Sequence, residues 1–151
     1  MVSASAVLDE RDLVIIRELV RNSRVSYTEL AKKLGISDVA VIKRVRRLEQ
    51  LGVIKRYTVE VNPAALGYRV VSYTGVDVEP QHLLEVARVL REKPYVKRLS
   101  LTSGDHDLIA VIWARDSEEL RRIHEEISRL PGVKRICPAI VLEELKDGDG
   151  V

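Results

Sequence analysis

The stretch SYTELAKKLGISDVAVIKRVRRLEQLG, Ser26 to Gly52, decides the fold, because it contains two helices and the turn between them. SYTE reads as a capping box, with Ser26 accepting from the amide near Glu29 and Glu29 reaching back. The short helix it opens turns Leu30, Ala31 and Leu34 inward and stops at Gly35. After the turn GIS, Ser37 caps a longer helix. Its apolar stripe is Val41, Val45 and Leu48, at i, i+4 and i+7, and Gly52 ends it. Upstream, Asp9 can cap another helix, with Leu13, Ile16, Leu19 and Val20 on one face. Three short helices with one tight turn predict a helix-turn-helix over about residues 27–46.

Charge singles out the same segment. The chain of 151 residues has a net charge of +2. Residues 1–62 hold 12 Lys/Arg against 8 Asp/Glu, whereas residues 63–151 hold 13 against 15. Between Lys43 and Arg56 six basic residues face a single acid, Glu49. A polyanion therefore meets the N-terminal third first. An α-helix fits the major groove of DNA, and arginine grips a phosphate or the edge of guanine through two parallel hydrogen bonds. On the helical wheel Val39, Ile42, Lys43, Arg46 and Arg47 point away from the apolar stripe, and Arg44 lies at its edge. Ser37, Val39 and Ala40 are small enough to allow close approach. The expected contacts with double-stranded DNA are thus Ser37, Val39, Ala40, Lys43, Arg44, Arg46 and Arg47, with Lys55 and Arg56 as possible additions.

Beyond Gly52 the rhythm changes. VIKRYTVEV reads as a linker strand, and NPAALGY around Pro63 and Gly67 as a boundary. RVVSYTGVDV, YVKRLSLTS, DLIAVIWAR and VKRICPAIVLEE read as strands. PQHLLEVARVLRE is helical, and a second helix follows the capping box Asp116–Glu119. The order βαββαβ is ferredoxin-like. The expected fold is α+β, with a (winged) helix-turn-helix domain at 1–60, a linker at 61–68, a ferredoxin-like domain at 69–143 and an acidic tail at 144–151. The strand 108–113 is apolar on both faces, so one face covers the helices and the other is expected to cover a second subunit.

Residues 26–52 resemble the DNA-binding signature of Lrp/AsnC (feast/famine) regulators. The match is carried by Ser26, Glu29, Leu30, Ala31, Leu34, Gly35, Ile36, Ser37, Arg44, Val45, Leu48 and Gly52. LDERDLVIIRELVRNSRVS is similar to the family's opening helix and GVIKRYTVEVNPAALGY to its connector. The second half resembles its regulation-of-amino-acid-metabolism domain, with SGDHDL where members carry a Gly-x-x-Asp turn. The resemblance spans about residues 8–143. It implies a sequence-specific transcriptional regulator, dimeric through its sheet domains and often assembled to an octamer. Two recognition helices related by a two-fold axis imply an imperfectly palindromic target. It also implies a small effector, usually an amino acid, held between dimers near that turn. Thr102, Ser103, Gly104, Asp105, His106 and Asp107 are the effector candidates. Turn amides can hold a carboxylate, and an aspartate can pair with an ammonium group. Many members carry an aromatic residue where His106 stands.

Other chemistries are poorly served. The histidines His82, His106 and His124 are scattered, which argues against a siroheme-decarboxylase-like tetrapyrrole enzyme on the same fold. On an extended strand His106 would point opposite to Asp105 and Asp107, so DHD is a poor metal corner. Cys137, the single cysteine, is expected inside a strand with no histidine nearby in sequence. No catalytic residue, metal or cofactor is therefore assigned. The N-terminus lacks signal-peptide character and no apolar run is long enough to span a membrane, so a cytoplasmic protein is expected.

Overall fold

The computed structural model describes residues 7–146 and Gly148. The chain divides into two compact units, one comprising the described residues up to Val59 together with Lys146 and Gly148, and the other Glu60–Leu145.

The first unit is three helices, α1 (Glu10–Arg21), α2 (Tyr27–Leu34) and α3 (Asp38–Gln50). Asp9 caps α1 and forms a reciprocal capping box with Asp12. Ser26 and Ser37 cap α2 and α3 by accepting the amides of Glu29 and Ala40. The box expected at Ser26 is one-sided, since no return bond from Glu29 forms among the described residues. Gly35 ends α2 in the left-handed region at φ 64°, where a side chain would be strained. The three amphipathic stripes meet in one core of Ile15, Leu30, Ala31, Val41, Val45 and Leu48.

The linker strand expected from VIKRYTVEV is not formed. Val53 and Ile54 donate their amides back to the carbonyl of Leu48 and pack on the helical core. Residues 55–62 belong to no strand. Their β-branched and aromatic residues favour extension, but a strand also needs a neighbour to satisfy its amides.

The second unit contains β1 (Val70–Val78), α4 (Leu83–Arg91), β2 (Val96–Leu101), β3 (Leu108–Ala114), α5 (Ser117–Ser128) and β4 (Val133–Ile140). The ferredoxin-like order is present, as one antiparallel sheet arranged β2-β3-β1-β4. The alternation predicted for β3 holds. Leu108, Ala110, Ile112 and Ala114 are buried with Val76, Val78, Val86, Leu90, Leu120, Ile123 and Ile127. Ile109, Val111 and Trp113 alternate with them and are only half-buried. On the neighbouring β1 the same outer face carries Tyr73, 45% exposed, opposite Val111. Lys97 lies over the Tyr68 and Trp113 rings at that face. Buried Ser72 and Thr74 face inward and link to His124 on α5 through hydrogen bonds of 2.8 and 2.9 Å, which satisfies hydroxyls that would otherwise cost stability in the core.

Candidate nucleic-acid interface and effector hairpin

α3 carries its candidate residues on two different surfaces. Val39 is 61% exposed, and Ser37, Lys43 and Arg46 are exposed beside it, with Ala40 partly so. Lys43 and Arg46 have no hydrogen-bond or ion-pair partner among the described residues. Arg44 and Arg47 are turned toward α1 instead. The Arg44 Nη1 lies 2.7 Å from Asp9 Oδ2 and 2.9 Å from Asp12 Oδ1. Arg47 reaches Asp12 at 3.4 Å and the Val7 carbonyl at 3.0 Å. Asp12 is 2% exposed, so its charge is sustained by these cations rather than by water. The hydrogen bond from Arg44 holds the Asp9 carboxyl below its ordinary range, and the same contact raises the Arg44 guanidinium. The helical wheel placed Arg47 correctly outside the core, yet it could not show that carboxylates of another helix stand there.

The hairpin between β2 and β3 is built from internal bonds. The Thr102 amide donates to the Asp107 carbonyl at 2.9 Å, and the Thr102 hydroxyl donates to the His106 carbonyl at 2.7 Å. Asp107 Oδ2 accepts the Val78 amide at 2.8 Å, tying the turn to β1. Gly104 takes φ 119°, in the region glycine favours. Ser103, Gly104 and Asp105 are exposed at the tip. The six effector candidates are thus adjacent, but Asp107 and His106 already have partners.

His106 Nδ1 meets Asp77 Oδ1 at 2.8 Å, and Arg135 Nε donates to Asp77 Oδ2 at 2.8 Å. These contacts hold the Asp77 carboxyl below its usual range, the His106 bond first. Cys137 is half-buried, and its thiol stands within 4.8 Å of ligand atoms of both Asp77 and His106. No histidine is near Cys137 in sequence, as expected, but His106 is near it in space. Strand pairing brings together residues that sequence distance separates, and the signal was the β1–β4 register that pairs Gly75 with Cys137.

Residues 72–151 match the family described as the Lrp/AsnC ligand binding domain, and residues 8–55 match the winged helix-turn-helix DNA-binding family. The chain belongs to the Lrp/AsnC family. It is similar to the HTH-type transcriptional regulator LrpA of Pyrococcus horikoshii, with 51% identity over 141 residues that cover 93% of this chain and 100% of the relative. Among solved structures, E. coli AsnC superposes with a TM-score of 0.87 at 24% identity, covering 94% of this chain and 97% of AsnC. A transcriptional regulator from Neisseria meningitidis, solved as a complex with L-Met, superposes at 0.86 and 22% identity, over 93% and 94% of the two chains. These last two likenesses establish the fold. This Lrp/AsnC protein is a DNA-binding transcriptional regulator with a ligand-binding domain of the family. LrpA of Pyrococcus horikoshii is named as a transcriptional regulator, which favours that reading over a tetrapyrrole enzyme on the same fold. No helix among the described residues is long and apolar enough to cross a membrane.

Proposed function

We propose that this regulator reads double-stranded DNA with the exposed side of α3, through Ser37, Val39, Ala40, Lys43 and Arg46. The single observation that carries this is the division of α3's cations into two sets. Arg44 and Arg47 are neutralised by α1, whereas Lys43 and Arg46 are exposed and without partners among the described residues. An unpaired cation contributes fully to counterion release on DNA, whereas a clamped one must first give up its carboxylate. Arg44 and Arg47 therefore set the orientation of α3, and their contribution to the complex is indirect.

The protein acts in the cytoplasm as a homodimer whose sheets meet through the face carrying Tyr73, Ile109, Val111 and Trp113, and dimers associate further, toward an octamer. A half-buried aromatic and aliphatic face of this kind is stabilised by a second copy. The dimer binds an imperfect palindrome. The exposed amides at Ser103, Gly104 and Asp105 receive the carboxylate of a small amino acid, with Thr102, His106 and Asp107 holding the turn in shape. The L-Met complex of the Neisseria neighbour supports that ligand class.

Gel shifts on the protein's own promoter test the interface. Lys43→Ala with Arg46→Ala should weaken binding by more than tenfold at about 100 mM salt and flatten the salt dependence by about two ion equivalents. Unchanged affinity and slope would overturn the assignment. Light scattering of the same samples should return a dimer or larger, and a monomer would remove the palindrome with it.

A further inference from the structure

We propose that Asp77, His106 and Cys137 form a binding site for a zinc-class divalent cation on the sheet face turned away from α4 and α5, beside the patch of Tyr73, Ile109, Val111 and Trp113 that carries the proposed dimer contact. Three segments supply it: β1 gives Asp77, β4 gives Cys137, and the β2–β3 hairpin gives His106. One ligand atom from each lies within 4.8 Å of the other two. In a tetrahedral site with bonds of about 2.0–2.3 Å, ligand atoms stand about 3.5 Å apart. Metal binding would draw the donors together through the side chains of Cys137, which is half-buried, and His106, which is 25% exposed.

The surroundings are shaped for the imidazole. A Cβ placed on Gly75 would lie 2.8 Å from His106 Nε2 and closer still to two ring carbons. Gly75 is buried under that ring and pairs across the ladder with Cys137. β1 therefore bears a glycine at the position where any side chain would displace the His106 ring. This close approach fixes where the imidazole stands beside Asp77 and Cys137. Asp77 is held in place by Arg135 through Oδ2, leaving Oδ1 toward the histidine. Coordination replaces the Asp77–His106 hydrogen bond with two metal bonds, while Arg135 remains as the outer partner that orients the carboxylate.

The donor set selects the metal. One thiolate, one imidazole and one carboxylate suit Zn²⁺ or Co²⁺ rather than Mg²⁺ or Ca²⁺, which favour all-oxygen cages. Three protein donors leave a fourth position for water. Binding releases the Cys137 thiol proton to solvent, so affinity rises with pH. The site does not depend on the proposed DNA interface, and loss of Lys43 and Arg46 leaves it intact.

Because the chain has a single cysteine, a thiolate-to-cobalt charge-transfer band can arise only here. Titrating the full chain with Co²⁺ should produce this band with one equivalent per chain, and Zn²⁺ should abolish it. Cys137→Ser should remove the band while leaving circular dichroism unchanged. His106→Asn and Asp77→Asn should each weaken Co²⁺ binding by about tenfold or more. No band at saturating Co²⁺ would overturn the site. So would an undiminished affinity in His106→Asn, which would mark a lone thiolate collecting metal.

Discussion

Two aspartates, one in each unit, are gripped by two side chains apiece, and they are put to different uses. Asp12, on α1, is buried between Arg44 and Arg47. Both partners are permanent cations, so the cluster is fixed at any ordinary pH. Asp77, on β1, has one permanent cation in Arg135 and one exchangeable partner in His106, with a thiol alongside. The first arrangement clamps helices. The second keeps donor atoms near the surface and can trade one partner for another. Burial together with partner type, rather than the presence of a charged cluster, separates a brace from a binding site.

The largest effect expected on this contrast is at the clamp. Asp12→Ala removes the shared anion and the return half of the α1 capping box, leaving Arg44 without its buried partner. Breaking such a pair costs about 3–5 kcal/mol, and the lower end applies because Arg44 still reaches solvent. Chemical denaturation should show about 3 kcal/mol lost; a loss below about 1 kcal/mol would mean that water, not Arg44 and Arg47, sustains the carboxylate.

A smaller effect is expected beside Asp77. Gly75→Ala drives a methyl group into the His106 ring, costing about 1–2 kcal/mol once the reduced chain entropy is set against the clash. Its diagnostic value lies in the metal titration, where Co²⁺ affinity should fall while Arg44→Ala leaves that affinity unchanged. Equal losses in both variants would erase the distinction between the clusters.

The smallest effect is in acid. Burial lowers the His124 pKa from its ordinary 6.5, so in the folded chain the ring is neutral where the unfolded chain already binds a proton. Stability of the sheet unit is therefore full above about pH 6.5 and declines as pH falls from there to the folded value. The depressed carboxyls of Asp9 and Asp77 act later, their stabilisation being lost as pH falls below about 3.8. Trp113, the one tryptophan, reports the sheet unit. Its melting should drop between pH 7 and 5.5, and His124→Gln should flatten that response. A drop that persists in the variant would point to another group.

The fold was legible wherever local rules govern it. Ser26, Ser37 and Asp116 announce their helices because a cap acts within three residues, and the alternation 108–113 announces a strand that is apolar on both faces, one of them buried under the helices. Residues 53–61 misled because strand propensity says nothing about whether a partner strand is at hand. The site was legible in part. Lys43 and Arg46 lie where the helical wheel put them, but Arg44 and Arg47 answer to carboxylates more than thirty residues upstream. The meeting of Asp77, His106 and Cys137 was hidden for a similar reason, since it follows from strand register and hairpin closure, and each link spans at least 29 positions.

The clamp from α3 to Asp9 and Asp12 has a consequence for genetics. A screen for lost operator binding would recover substitutions at the very start of the chain, well away from Lys43 and Arg46. A footprint drawn from such alleles would extend the DNA contact onto α1. Pairing each allele with a stability measurement separates the two classes: weakened clamps lose stability and binding together, whereas lost groove contacts cost binding alone.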